Sequence, residues 1–114
     1  MELGVGAKQI AEQLELTDYH QLHIIIGMVK DKAVEKVLAL LPETATYYFT
    51  KAQIPRALDE NILKEQASVL KLQGAAYNDV NTALQQALQH ARQDDLILVC
   101  GSVFLVGEVD IALL

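Results

Sequence analysis

The sequence is poor in cysteine: Cys100 stands alone in 114 residues. No disulfide can close within such a chain, and a reducing compartment fits. Cys100 lies inside the apolar run LILVC and reads as a buried, inert thiol. Bases are also scarce, with 9 Lys and Arg against 15 Asp and Glu and a net charge of −6. A general binder of nucleic acid or of anionic membranes would need a basic face, so both classes are excluded. No apolar run approaches a transmembrane length. The first residues, MELGVGAKQIAEQLEL, lack the basic-then-apolar layout of a signal peptide. A soluble, cytoplasmic protein is expected.

Several chemical signatures are missing too. There are no internal repeats and no low-complexity segment. No G-x-x-x-x-G-K-[ST] loop occurs, so the chain has no phosphate-cradling P-loop of its own. Gly4-Val5-Gly6 is a fragment of a nucleotide-binding pattern with no strand before it. No Ser-His-Asp or Cys-His arrangement is evident. His20 and His23 form H-x-x-H, but no further ligand stands at a metal-site spacing. His90 reads as a solvated helix residue, and Asp94-Asp95 as a solvated loop.

What the chain does have is apolar residues, 52% of the total, arranged in two alternating periods. At 114 residues it suits one domain with a core of its own. Residues 5–16 read as a helix with Val5, Ile10, Leu14 and Leu16 on a loose stripe. LHIIIGMV (22–29) reads as a buried parallel strand. Asp31 can cap the next helix, which turns Val34, Val37, Leu38 and Leu41 inward and stops at Pro42. TYYFTK (46–51) is a second strand. Asp59 can cap a helix with Ile62, Leu63, Ala67 and Leu70 inward, ended by Gly74. AAY (75–77) is a weak third strand. Asp79 caps a helix whose stripe is Val80, Ala83, Leu84, Ala87, Leu88 and Ala91. LILVC (96–100) is the fourth strand, and VFLVGEVDIALL reads as a closing helix running through Gly107.

Strands that alternate with helices imply an α/β fold. The expectation is a three-layer, mostly parallel Rossmann-like sheet of about four strands, with helices on both faces. Right-handed crossovers and two strongly apolar strands give the order 4-1-2-3. Winding then reverses between the first and fourth strands, and ligands bind at the carboxyl ends beside such a switch point. Here those ends are residues 27–32 and Gly101-Ser102. Gly101 permits a tight turn and a close approach. Ser102 offers a hydroxyl beside helix-start N–H groups, a setting that favours an anion; it can equally be an N-cap, and the two roles are compatible. Lys30, Lys32, Lys51 and Arg56 fall on the same rim. They form an anion-binding edge for carboxylate or phosphate, or they are ordinary solvated loop cations.

Three stretches together resemble a family. IIIGMVKDKAVEKVLALLP is similar to the strand-G-x-x-x-D-K-helix segment of folylpolyglutamate synthase/dihydrofolate synthase, within the Mur ligase superfamily. TYYFTKAQIPRAL resembles its next strand and a loop ending in Arg-Ala-Leu. LILVCGSVFLVGEV resembles its C-terminal strand-Gly-Ser-helix. The likeness spans about residues 8–110. It implies that residues 1–114 are the C-terminal (glutamate ligase) domain of an ATP-dependent amide ligase.

Such a ligase phosphorylates a carboxylate with ATP, then lets the amine of L-glutamate attack the acyl phosphate. The resemblance assigns Ser102 and Gly101 to the glutamate carboxylate. Asp31 and Lys32 match its Asp-Lys pair, and Lys30 and Arg56 fall on the ATP side. It implies ATP and Mg as cofactors of the full-length enzyme, glutamate and folate substrates, and an N-terminal ATPase domain as partner. The family's Asp-x-x-His-Asn motif and P-loop domain do not occur in this sequence. Catalysis by the chain alone is therefore not expected. In the family a further strand lies outside the fourth strand; without it that edge is bare, and weak self-association there is expected. Two rival readings are a flavodoxin-like binding module and a non-catalytic interaction domain with an acidic docking face.

Overall fold

The computed structural model describes residues 2–3, 20–30 and 33–113. The helix expected over 5–16 and the pair Asp31-Lys32 lie outside the described residues. Among the described residues five parallel strands form one sheet: β1 (Glu2–Leu3), β2 (Leu22–Gly27), β3 (Thr46–Phe49), β4 (Gly74–Ala76) and β5 (Leu96–Gly101). Their order is β1-β5-β2-β3-β4. The four expected strands thus stand in the expected order. The edge of β5 is not bare, because Glu2 and Leu3 pair with Leu98 and Val99. That pairing removes the stated ground for self-association over those two positions.

The period-two alternation of each strand divides the core between two faces. Leu22, Ile24, Ile26, Tyr47, Phe49, Leu98 and Cys100 point to one face. There they meet α1 (Val34–Leu38) through Val34 and Leu38, and α2 (Glu60–Val69) through Leu63 and Ala67. Ile25, Tyr48, Ile97 and Val99 point the other way. They meet Val80, Ala83, Leu84 and Ala87 of α3 (Val80–His90) and Leu105 of α4 (Val103–Gly107). β2 is buried along its whole length, as a central parallel strand covered on both sides must be. Cys100 is buried, and loss of hydration pushes its thiol up to about 12. No helix among the described residues is long and apolar enough to cross a membrane.

The caps follow the sequence in most places. Asp59 accepts from the N–H groups of Asn61 and Ile62, and Asp79 from Thr82 N–H. Other expectations fail. α1 is capped by Ala33 with no side-chain bond, so Asp31 is not its N-cap, and the helix ends at Ala39, before Pro42. Ile62 is 46% exposed rather than inward. α2 ends at Leu70, followed by Lys71 at φ 65, so Gly74 is not its terminator. The closing helix stops at Gly107, and only a short 3-10 turn, Ile111–Leu113, follows.

Candidate functional site

The carboxyl ends of β2 and β5 meet at two glycines, Gly27 and Gly101, directly paired across the ladder. Gly101 has φ +105, and a Cβ there would lie 2.1 Å from the Gly27 carbonyl oxygen. Only glycine lets the two backbones come so close. The turn delivers Ser102, which is buried, to the start of α4. Ser102 N–H donates to Gly27 O at 2.9 Å, and Ser102 Oγ accepts from Phe104 N–H at 3.1 Å. Those two N–H groups are therefore spent, and the sequence-based picture of unpaired donors beside the serine does not hold for them. The hydroxyl hydrogen has no acceptor among the described residues.

The rim continues from β2. Val29 forms an antiparallel bridge with Ala57, Lys30 N–H donates to Arg56 O at 2.8 Å, and Leu58 N–H to Met28 O at 2.9 Å. These bonds set the backbone of Lys30 beside that of Arg56. Lys30 also shares with Lys51 an open cleft of about 610 Å³, between the end of β2 and the β3–α2 loop. Three of the expected rim cations thus follow the carboxyl ends of β2 and β3, with Lys30 and Lys51 lining one cleft; the fourth, Lys32, is outside the described residues. Lys51 Nζ stands 3.7 Å from Glu60 Oε2. Glu60 is 5% exposed, and that oxygen has no hydrogen-bond partner. Nothing in the sequence pattern marks Glu60, since its position after a capping aspartate is an ordinary one for an acid.

The family model for the Mur ligase glutamate ligase domain matches residues 5–103. The chain belongs to this family. A probable bifunctional folylpolyglutamate synthase/dihydropteroate synthase of Haloferax volcanii is 36% identical over 103 residues, 88% of this chain and 12% of the relative. The crystal structure of the bifunctional folylpolyglutamate synthase/dihydrofolate synthase from Yersinia pestis is similar with a TM-score of 0.80 at 30% identity, covering 94% of this chain and 25% of that one. A structure of a folylpolyglutamate synthase/dihydrofolate synthase with Mn, AMPPNP and L-glutamate bound is similar with a TM-score of 0.81 at 30% identity, over 94% and 26%. The chain thus spans at most about a quarter of the length of these relatives.

The opposite end of the sheet carries a chain of polar side chains that the sequence shows only as unrelated pieces. His23, 4% exposed, places Nδ1 2.9 Å from Tyr48 Oη and Nε2 2.8 Å from Asp95 Oδ2. Tyr48 Oη lies 3.3 Å from His90 Nδ1, so His90 is not merely solvated. Asp95 is not a solvated loop residue either: its side chain is 4% exposed and also accepts from Arg92 N–H at 2.9 Å. Both ring nitrogens of His23 are committed to this internal chain, which is a structural role. A residue at the start of β2 and one just before β5 meet because the strands pair in parallel, a register that H-x-x-H and Asp-Asp do not reveal singly.

The bonds from Arg92 N–H and then His23 hold the Asp95 carboxyl below the usual carboxylate range. A lowered folded-state pKa stabilises the fold above the unfolded value and is lost as pH falls through the folded one. Asp95→Asn should therefore lower the urea midpoint at pH 7. Its deficit against the unmodified chain should shrink as pH drops below about 4. A deficit independent of pH would show that the carboxylate charge contributes nothing.

Proposed function

We propose that this chain is the C-terminal substrate-binding domain of an ATP-dependent folylpolyglutamate synthase/dihydrofolate synthase-type ligase. In this reading Ser102 and Gly101 receive the carboxylate of L-glutamate, and Lys32 and Asp31 bind other parts of the substrate. Lys30 and Arg56 face the phosphates of ATP. An N-terminal ATPase domain of the same polypeptide supplies the phosphate-cradling loop, and the chain alone forms no amide bond. A cytoplasmic location and a monomeric domain complete the reading.

The observation that carries it is the Gly27–Gly101 pair with Ser102 at the junction of β2 and β5. Winding reverses there, which is where open α/β sheets take ligands. The similar structure that binds Mn, AMPPNP and L-glutamate supports it. The residues present suit the anionic part of such ligands: Lys30 and Lys51 offer charge, and Ser102 a hydroxyl donor. Among the described residues no group of three or more His, Cys, Asp or Glu could hold a metal ion. A Mg ion would in this reading rest on the nucleotide's phosphates and on groups outside the described residues. Its chemistry there is to neutralise charge on the transferred phosphoryl group.

The test is a two-dimensional amide NMR titration of the chain with L-glutamate and then with Mg-ATP. Shifts should cluster at Gly27–Lys32 and Gly101–Val103, and the glutamate response should weaken in Ser102→Ala. Shifts scattered away from both strand ends, or a response that ignores Ser102→Ala, would leave Ser102 a helix cap and nothing more.

A further inference from the structure

We propose that Glu108 is a positioning residue: its carboxylate ties the β3–α2 loop to the end of α4, and so holds Lys51 and Ser102, which flank β2 on opposite sides, as one site. The inference rests on the function proposed above, since it takes Lys51 and Ser102 to serve the same ligand.

The place of Glu108 supplies the first argument. It is the C-cap of α4, at the negative end of the helix dipole, where an acid is unfavourable. No base stands in the last turn of that helix to offset it. The chain already carries a net −6, so charge balance gives no reason for an acid there either. A tertiary bond does: Glu108 Oε2 accepts from Gln53 N–H at 2.8 Å, across 55 positions of sequence. A hydrogen bond to a carboxylate is stronger than one between neutral groups.

What the bond joins supplies the second. Gln53 lies two residues beyond Lys51, and its Nε2 donates to Asn78 O at 2.8 Å and to Lys51 O at 3.3 Å. Gln53 therefore sets the backbone of Lys51 against α4 on one side and the segment before α3 on the other. Lys51 then lines its cleft with Lys30, Asp59 and Ile62, its Nζ 3.7 Å from Glu60 Oε2. The other end of α4 is anchored by Ser102 N–H on Gly27 O at 2.9 Å and by Leu105, buried against Gly27. A helix of five residues has no stability of its own, so these anchors set its direction. Thr50 N–H donates to Ile26 O at 2.9 Å, so the ends of β3 and β5 each bond to β2 from opposite sides. Glu108 links one flank to the other.

The third argument is that Glu108 is itself held. Asn81 Nδ2 donates to Glu108 O at 3.0 Å, and Asn81 Oδ1 accepts from Asp110 N–H at 2.7 Å. One side-chain amide of α3 thus grips the backbone on both sides of Val109, and the carboxylate is presented from a fixed point. The Gln53–Glu108 bond lies at the surface, where water replaces a lost partner at little cost to folding. Its removal frees the loop and leaves the core intact. A loop already in place loses less entropy when a ligand arrives, so the tie acts on binding rather than on stability.

Amide NMR of the full chain, of Glu108→Ala and of Glu108→Gln, with L-glutamate as the probe, tests the proposal. In the unmodified chain L-glutamate should shift Lys51 along with Gly101–Val103. Glu108→Ala should weaken that binding roughly fivefold, the scale of one hydrogen bond. It should also raise the mobility of residues 51–53 in amide relaxation and leave the urea midpoint nearly unchanged. Glu108→Gln keeps a side-chain oxygen to accept from Gln53 N–H and should restore most of the affinity and the order of 51–53. Equal losses in the two variants would assign the effect to charge and overturn the proposal. So would unchanged affinity in Glu108→Ala, a Lys51 that ignores L-glutamate while Gly101–Val103 respond, or an affinity loss that follows a fall in the urea midpoint. The relaxation measurement needs no ligand. If the unmodified chain ignored L-glutamate altogether, the function proposed above would fail, and unchanged order at 51–53 in Glu108→Ala would separately overturn the tie.

Discussion

Gly101→Ala is expected to cost roughly 3 kcal/mol or more of folding stability, a large share of what a domain of this size holds. Two effects add. The residue sits at φ +105, where an L side chain is strained, and the new Cβ would lie 2.1 Å from the Gly27 carbonyl oxygen. The clash is with backbone, so no side-chain rotation relieves it. β2 and β5 would have to part at the ends where Ser102 N–H now bonds to Gly27 O. Gly107→Ala is the matched control, since a Cβ there meets nothing within 4 Å. Urea midpoints of the two variants should differ widely; similar midpoints would mean that the strand ends can open at little cost. Because Gly101 positions Ser102, the function proposed above predicts that any Gly101→Ala protein that does fold shows no response to L-glutamate.

Phe49→Ala is expected to cost about 3–5 kcal/mol. Phe49 is fully buried at the end of β3 and stacks on Tyr47 with ring centroids 5.6 Å apart. Truncation removes the buried ring and leaves a cavity in a face already closed by α1 and α2. Phe104→Ala removes the same ring from a position 47% exposed and should cost less than about 1 kcal/mol. A thermal melt separates the two directly. The larger loss also reaches the cleft. Phe49 immediately precedes Thr50 and Lys51, and its carbonyl accepts from Tyr77 N–H at 2.8 Å. A Phe49→Ala loss no greater than that of Phe104→Ala would mean that the core closes over the gap.

The layout of the sheet was legible because burial on both faces leaves continuous apolar runs, and because right-handed crossovers allow few orders. Asp59, Asp79 and Ser102 were legible as caps because a short polar side chain before an apolar stripe has few other uses. Gly74 was misread for a physical reason. Its missing side chain serves a close approach to strand β3, where a Cβ would lie 1.8 Å from Tyr47 O. The helix itself ends at Leu70, and the left-handed turn after it falls on Lys71, a residue that does not advertise one. Ile62 was misread because it adjoins Leu63, and neighbours on a helix are about a quarter-turn apart. Leu63 and Ala67 define the buried stripe, and Ile62 faces the cleft. At the candidate site, Gly101, Ser102 and Lys30 follow from strand ends and winding. Glu60 and the His23–Asp95 contact depend on tertiary register, which no local pattern encodes.

The pairing of β2 with β5 also governs when the site comes into being. The partners come from opposite halves of the chain, and His23 meets Ile97 only after everything between them has been spanned. Contacts so remote in sequence form slowly, because closing the intervening loop must precede any gain from it. During synthesis β5 leaves the ribosome after every other strand of the sheet. Until then β2 offers an open, largely apolar edge, the kind of surface that invites aggregation or a chaperone. The Gly27–Gly101 corner is assembled last, so a chain halted before residue 101 would hold most of the sheet and no serine corner at all.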